Sequence, residues 1–126
     1  MILLDSDVVI DIRRKHPPAS KWFQSLAEYP ALPGYVVFEL LNGCENLQRS
    51  RELEEFVRPF STVWLSSSGS AEALLRYPRL HLVHGLGILD ALIAQTAIEA
   101  GATLATFNTK HFVAVEGLVV VEPYER

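Results

Sequence analysis

The sequence predicts an α/β fold with a mostly parallel central sheet of about five strands and helices on both faces. Two short apolar runs, residues 2–4 and 103–107, have the character of strands buried on both faces. Segments with apolar residues at helical spacing alternate with the predicted strands. Such alternation is typical of right-handed crossovers that place helices on either side of a parallel sheet. The 126 residues and 49% hydrophobic content fit one domain over residues 1–126.

The first half of the chain contains one clear strand and four predicted helices. The strand over residues 2–4 is followed at once by a helix over residues 6–14, which Pro17 and Pro18 are expected to end. A short strand or turn is expected over residues 30–34. Apolar residues at helical spacing predict the other three helices over residues 19–29, 35–47 and 49–58.

The second half predicts further strands and two more helices. β-branched and aromatic residues favour a strand over residues 62–65. A helix over residues 71–77 is expected to stop at Pro78, and a strongly apolar helix over residues 88–100 is closed by Gly101. The remaining strands are expected over residues 103–107 and 119–121.

The charge of the chain, taken alone, argues against a nucleic-acid binder. The formal net charge is −4 and the sequence pI is about 5.5, whereas phosphate contact usually requires Lys and Arg. Arg13 begins a local basic run that is a candidate RNA contact, although a solvated helix face is the simpler interpretation. Part of the negative charge would be cancelled by a bound cation, because four acids fall at candidate ligand positions: Asp5, Asp7, Glu39 and Asp90.

The sequence gives no sign of a membrane protein. No apolar stretch approaches the roughly 18 to 20 residues that span a bilayer, and the first residues run directly into Asp5. We therefore expect a cytoplasmic protein with no membrane partner.

The aspartates are confined to two places. Three lie between Asp5 and Asp11, and the fourth is Asp90. Asp5 directly follows a buried strand and so lies at its carboxyl end, which is where ligands bind in open α/β sheets. Asp90 occupies the first turn of a helix, and Thr106 and Asn108 come at the end of another strand. These polar side chains are therefore candidates for one shared site.

Glu39 lies on a small polar stripe of its predicted helix. Carboxylates that converge on one point repel each other and have raised pKa values unless a cation lies between them. Mg²⁺ prefers such hard oxygen ligands, and Mn²⁺ should substitute for it. A metal held in this way can activate a water and stabilise the charge that develops on a phosphodiester under attack. The pattern favours metal-dependent phosphodiester hydrolysis at Asp5, Glu39 and Asp90.

Each of these residues also has a simpler structural explanation. Asp90 alone fits an acid favoured by the helix dipole, and Glu39 alone fits a solvated surface glutamate. Asp7 is equally a helix cap or a residue that supports the metal ligands. Three histidines lack a metal-site spacing, so surface or packing roles are expected for His81, His84 and His111.

Four segments stand out in order along nearly the whole chain. They are Met-Ile-Leu-Leu-Asp-Ser-Asp-Val-Val-Ile-Asp at the start, Phe-Glu-Leu-Leu-Asn-Gly around Glu39, Ile-Leu-Asp-Ala-Leu-Ile-Ala-Gln-Thr-Ala around Asp90, and Leu-Ala-Thr-Phe-Asn-Thr-Lys-His-Phe ending at Phe112. Together they resemble the PIN domain, and more closely its VapC-like branch of bacterial and archaeal toxin ribonucleases. The first and third segments carry most of the specificity.

The resemblance implies a role for each matching residue. Asp5, Glu39 and Asp90 correspond to the three best-defined acids of the family, which bind Mg²⁺ or Mn²⁺ for cleavage of single-stranded RNA. Asn108 stands where many members carry a fourth aspartate, so it is expected to orient a water or a phosphate. Ser6 matches a position often held by a hydroxyl residue.

The resemblance also implies partners. Asp7 takes a place often filled by Asn, and with Ser6, Thr106 and Arg13 it is expected to support the metal ligands or the substrate. The family implies a homodimer and a small VapB-like antitoxin that occupies the site, and an acidic toxin suits a partner with a basic segment. The RNA is expected to be single-stranded, with tRNA or another structured RNA as one candidate.

Other classes remain open. The opening Ile-Leu-Leu-Asp-Ser-Asp-Val-Val also resembles the first motif of haloacid-dehalogenase-like phosphatases, but no aspartate follows Asp90 and only scattered glutamates follow Lys110. A phosphate-accepting receiver domain needs an aspartate on a middle strand, and residues 12–89 contain none. A third alternative is a degenerate PIN fold kept as a binding module, since Asn108 replaces one expected acid.

Overall fold

A computed structural model describes all residues from Met1 to Arg126. Strands and helices alternate for most of the chain. In chain order the elements are β1 (Ile2–Leu4), α1 (Ser6–Arg13), α2 (Pro17–Ser25), β2 (Leu32–Pro33), α3 (Gly34–Asn42), α4 (Leu47–Val57), β3 (Thr62–Val63), α5 (Ser67–His84), α6 (Ile88–Ala100), β4 (Thr103–Ala105), α7 (Thr109–Phe112) and β5 (Val119–Val121).

Every strand pair is parallel. The first sheet has the order β1-β4-β5, and a second, two-stranded sheet pairs β2 with β3. A parallel bridge between Leu3 and Ala31 joins the two sheets, which gives five strands in the order β3-β2-β1-β4-β5. The carboxyl ends of all five strands therefore meet at one edge.

The core lies on both faces of the central strands. Leu3 and Leu4 of β1 are fully buried, and so are Leu104 and Ala105 of β4. Because successive side chains of a strand point to opposite faces, burial of consecutive residues shows that helices cover both sides. The helices contribute Val8, Val9, Val36, Ile93, Ala94 and Ala97 to this core. The predicted α/β class with a parallel sheet between helices is confirmed.

The two adjacent prolines begin a helix that the sequence analysis placed later. Pro17 and Pro18 were expected only to end the first helix, but they form the first turn of α2, which ends at Ser25. Backbone N–H groups in a first helical turn have no partner within the helix, so proline loses nothing there and its fixed φ favours the start. The predicted bounds of 19–29 are therefore wrong at both ends.

Pro78 does not stop its helix, contrary to prediction. Helix α5 runs from Ser67 through Pro78 to His84 and ends at Gly85, whose φ of 73° suits glycine. The hydrogen bond that proline removes belongs to the carbonyl of Leu74. Leu74 is 71% exposed, so water can take the place of the missing donor. Packing of α5 against α6 along its length favours continuation.

The remaining differences are at element ends. Helix α3 ends at Asn42 rather than residue 47, and Asn46 caps α4 by accepting a hydrogen bond from the Arg49 backbone N–H. Strands β3 and β4 stop at Val63 and Ala105, two residues before the predicted ends. The four-residue helix α7 was not predicted at all.

None of the helices is both long and apolar enough to span a bilayer.

Candidate metal centre

Three acids meet at the carboxyl edge of the sheet, each placed by a different element. Asp5 follows β1 and is the N-cap of α1. Glu39 lies on α3, which begins directly after β2, and Asp90 lies in the first turn of α6. One carboxylate oxygen from each comes within 4.8 Å of the others. We call Asp5, Glu39 and Asp90 the acid triad.

Asp5 is the buried member of the triad. Its side chain is 5% exposed, and its two oxygens accept hydrogen bonds from the Ser6 backbone N–H (2.8 Å to Oδ1) and the Thr106 hydroxyl (2.7 Å to Oδ2). Burial raises the pKa of Asp5 to about 7, with further increases from the nearby charges of Asp7 and Glu39, while the two hydrogen bonds act in the opposite direction. The protein alone does not stabilise the ionised form of this carboxylate.

Thr106 connects Asp5 to the loop that follows β4. Its fully buried hydroxyl donates to Asp5 and accepts a hydrogen bond from the Asn108 backbone N–H at 3.0 Å. The Asn108 side chain is exposed and lines the cavity at the triad. Thr106 therefore orients Asp5, whereas the Asn108 side chain can reach a molecule in the cavity.

Asp7 lies beside the triad but binds backbone groups. Its Oδ1 accepts from the N–H of Val8 at 2.8 Å, and its Oδ2 accepts from the N–H of Phe107 at 2.9 Å. Burial raises the pKa of Asp7 despite these hydrogen bonds. Asp7 ties the start of α1 to the loop after β4, and one edge of it, with Ser6, also lines the cavity.

His111 has a role that the sequence analysis missed. Its Nε2 lies 2.9 Å from Asp90 Oδ2, and both side chains are about one quarter exposed. The sequence predicted only a surface or packing role for this histidine and gave no sign of its contact with Asp90. No local spacing marks the pair, because α7, which carries His111, is brought to α6 only by the fold.

The triad opens into a polar cavity of about 340 Å³, which we call the acid cavity. It has one hydrophobic lining residue, Phe107. Arg13, a predicted substrate contact, does not line it but lies in a neighbouring groove that shares Ser6 and Glu39 with it. The lining residues are Asp5, Ser6, Asp7, Glu39, Asp90, Phe107, Asn108 and Arg126.

A second buried acid, Asp11, lies in the last turn of α1. Its fully buried carboxylate accepts from the Tyr124 hydroxyl at 2.8 Å and from Arg126 Nε and Nη2 at 3.0 and 3.2 Å. The guanidinium of Arg14 donates to the same carboxylate at 2.9 Å. We call Asp11, Arg14, Tyr124 and Arg126 the Asp11 cluster.

The cluster stabilises the ionised form of its acid. Burial acts to raise the pKa of Asp11, but hydrogen bonds from Arg126 and Tyr124 and the two guanidinium charges outweigh it, so the pKa is lowered. Burial and the hydrogen bond to Asp11 raise the pKa of Tyr124. Sequence reasoning missed this cluster because its acid and its C-terminal partners are more than a hundred positions apart.

The donor set of the triad fits a hard divalent cation. Carboxylate oxygens are the ligands that Mg²⁺ and Mn²⁺ prefer, and one or two carboxylates with waters and substrate phosphate complete such sites. Burial first, and then the charges of Asp7 and Glu39, raise the pKa of Asp5, so its ionised form is unfavourable without a cation nearby. A cation between the three oxygens would remove that cost.

Comparison with known proteins gives consistent matches. The profile of the PIN domain family matches residues 2–118. Ribonuclease VapC10 of Mycobacterium tuberculosis (strain H37Rv) is 38% identical over 124 residues, which cover 94% of this chain and 90% of that protein.

Two solved structures are similar over almost their whole lengths. VapBC2 from Rickettsia felis, bound to a DNA fragment from its promoter, is 25% identical with a TM-score of 0.76, covering 96% of this chain and 98% of that one. A toxin-antitoxin complex from Klebsiella pneumoniae is 23% identical with a TM-score of 0.76 and covers 100% of both chains, a likeness that establishes the fold.

Proposed function

Because the chain belongs to the PIN domain family, in its VapC-like branch, we propose that residues 1–126 form one endoribonuclease domain that cleaves single-stranded RNA with Mg²⁺, or Mn²⁺ in its place. The observation that carries the proposal is the approach of three carboxylates to within 4.8 Å at the carboxyl edge of a parallel sheet. Membership in this family excludes two of the alternatives, the phosphatase and the receiver domain.

Asp5, Glu39 and Asp90 would hold the metal. When bound, the ion supplies a water of lowered pKa and a positive charge for the phosphodiester under attack. An ionised Asp5 has two fixed hydrogen-bond donors, Ser6 and Thr106, so its carboxylate is oriented before any ion arrives.

Other residues of the cavity prepare the site in different ways. His111 holds Asp90 from outside the triad at 2.9 Å, which restricts the rotation of that carboxylate. Asp7 fixes the backbone of Phe107 and thereby the loop that presents Asn108. The exposed Asn108 amide can orient a water or an RNA phosphate, and Arg13 can contact RNA beyond the cavity.

We further propose that the protein is the toxin of a toxin-antitoxin pair. The similar structures from Rickettsia felis and Klebsiella pneumoniae are a VapBC complex and a toxin-antitoxin complex, which supports a small VapB-like antitoxin as partner. A net charge of −4 and a cavity lined by four carboxylates suit an antitoxin with a basic segment. The family also supports a homodimer.

The first test is cleavage of single-stranded RNA of mixed sequence by purified protein with Mg²⁺, Mn²⁺ or EDTA. Asp90→Asn, purified identically, controls for contaminating ribonuclease. Cleavage is expected with either metal, and its absence is expected with EDTA and with Asp90→Asn. A folded protein that cuts neither mixed RNA nor tRNA under any of these conditions would contradict the proposal and favour a binding module.

A further inference from the structure

The acid cavity has a single fixed cation at its rim. Four carboxylates line it, and Arg126 is the one Lys or Arg among the lining residues. A phosphate that enters such a cavity is repelled by the acids unless positive charge offsets them. A metal ion at the triad would offset part of this charge, and Arg126 adds a second positive charge at a different place.

The guanidinium of Arg126 is held on one edge and one face. Its Nε and Nη2 donate to Asp11, and its planar group lies over the ring of Phe107 at 4.8 Å from the ring centre. A guanidinium has five N–H donors, and these contacts use two. Three donors remain for a ligand, while the group itself cannot easily rotate away.

Asp11 does not cancel the charge of Arg126. The same carboxylate also binds Arg14 at 2.9 Å, so one negative side-chain charge is shared by two positive ones. The exposed fraction of the Arg126 side chain is 45%, which leaves its free edge accessible. The cluster therefore presents a positive group to the cavity.

Arg126 differs in this respect from Arg13, the other candidate cation near the triad. Arg13 is exposed, its side chain makes no hydrogen bond to another residue, and it lies in the neighbouring groove. A long side chain that is already immobile loses less conformational entropy when it binds a ligand. A preoriented guanidinium also matches the geometry of a phosphate, to which it can donate two hydrogen bonds.

We propose that Arg126 is a substrate-binding residue that contacts a backbone phosphate of the RNA beside the acid triad, and that Asp11 and Tyr124 position it. The proposal rests on the ribonuclease function proposed above. The Asp11 cluster then does more than stabilise the fold, because it holds Arg126 in the substrate site.

The test measures binding rather than cleavage. Each variant is made in the Asp90→Asn background, and its affinity for a fluorescein-labelled single-stranded RNA of mixed sequence is measured with Mg²⁺ between about 50 and 200 mM salt. Arg126→Gln is expected to weaken binding about tenfold. It should also reduce the slope of log affinity against log salt by about 0.7, the value for one lost phosphate contact on a single strand. Arg126→Lys keeps the charge and should retain the slope.

Two variants separate this role from a structural one. Arg58→Gln removes an equal charge from an exposed residue that is paired with Glu55 and lines neither the acid cavity nor the groove of Arg13. This variant should leave the slope unchanged. If Arg126→Gln proves poorly folded, Asp11→Asn with Arg126→Gln removes both charges of the pair, keeps the net charge, and should show the same loss of slope.

The outcomes also distinguish the two proposals. Parental affinity and slope in folded Arg126→Gln, from a parent that cleaves RNA, would overturn this inference alone. If the parent neither cleaves RNA nor binds it with Asp90 replaced, the ribonuclease function fails and this inference fails with it.

Discussion

Two buried carboxylates lie at the two ends of helix α1, and their pKa values are shifted in opposite directions. Asp5 at its start and Asp11 in its last turn are 5% and 0% exposed, yet the pKa of Asp5 is raised and that of Asp11 is lowered. One difference between the two sites is the supply of positive charge. Asp11 receives two guanidinium groups, whereas the charged side chains that raise the pKa of Asp5 are two other acids, Asp7 and Glu39.

Asp11 finds its counter-charges within the chain, whereas Asp5 does not. A buried carboxylate whose counter-charges come from its own chain is complete, and it fixes the fold. One that is surrounded by other acids is incomplete until a cation arrives from solution, and such unfavourable arrangements concentrate at functional sites.

The largest expected effect comes from removing the charge of Asp5. Asp5→Asn should reduce RNA cleavage by at least about a thousandfold, because a ligand of the proposed metal is lost. In EDTA the same variant should unfold at the same temperature as the parent or a higher one, since it removes repulsion within the triad. Cleavage assays and thermal melts of the same samples measure both effects. A large decrease in the melting temperature in EDTA would contradict the comparison.

The pH dependence of stability should show the same contrast. In EDTA, Asp5 is protonated up to about pH 7 in the folded state but only to about pH 4 in the unfolded state. Between these values the folded state binds more protons, so the free energy of unfolding should fall as the pH rises, by up to about 4 kcal/mol. The raised pKa of Asp7 acts in the same direction.

Urea unfolding of the parent and Asp5→Asn across this range provides the measurement. The two free energies should be similar near pH 4 and diverge towards pH 7, with Asp5→Asn the more stable. Mg²⁺ should restore the parent at pH 7 by binding the folded state. Asp11 has a lowered pKa, so its contribution is complete above its unfolded pKa and is lost only at lower pH. Curves that stay parallel would show that Asp5 does not carry the raised pKa.

Replacing Asp11 should lower the free energy of unfolding at pH 7, the opposite of the effect expected for Asp5→Asn. Asp11→Asn removes the shared counter-charge of Arg14 and Arg126, and we expect a loss of about 2 kcal/mol, moderated because both guanidinium groups are partly exposed to water. Chemical denaturation at pH 7 tests this value. Glu55→Gln breaks an exposed ion pair on α4 and should be neutral in the same assay. A neutral Asp11→Asn would mean that the cluster contributes no net stability.

Much of the fold and the triad could be predicted because their signals are local. A short apolar run followed by an acid marks the end of a buried strand, and this placed Asp5, while the helix beginning at Ile88 placed Asp90 in a first turn. The strand order follows from general rules for alternating elements. Pro78 and the prolines of α2 were misplaced because a proline is compatible with several positions, and tertiary packing chooses among them.

The rest of the site depends on contacts between distant positions. Asp11 with Arg126, and Asp90 with His111, have no shared spacing, and nothing in the local sequence distinguishes Arg126 from the other basic residues. The sequence signal for Glu39 as a site residue was weak for the same reason, because its place in the triad depends on how α3 packs against α6. Only the folded chain shows which of the basic residues lines the acid cavity.

The smallest expected effect on cleavage comes from replacing Asp7, whose environment is intermediate between those of Asp5 and Asp11. Its carboxylate is partly buried and accepts two backbone hydrogen bonds, but it is not one of the three triad acids. Asp7→Asn keeps one acceptor and should lower cleavage by less than about tenfold, because the orientation of the loop at Phe107 is weakened while the proposed ligands stay in place. Side-by-side rates for Asp7→Asn and Asp5→Asn with Mg²⁺ test this ranking. Equal losses would place Asp7 among the proposed metal ligands, which would then number four rather than three.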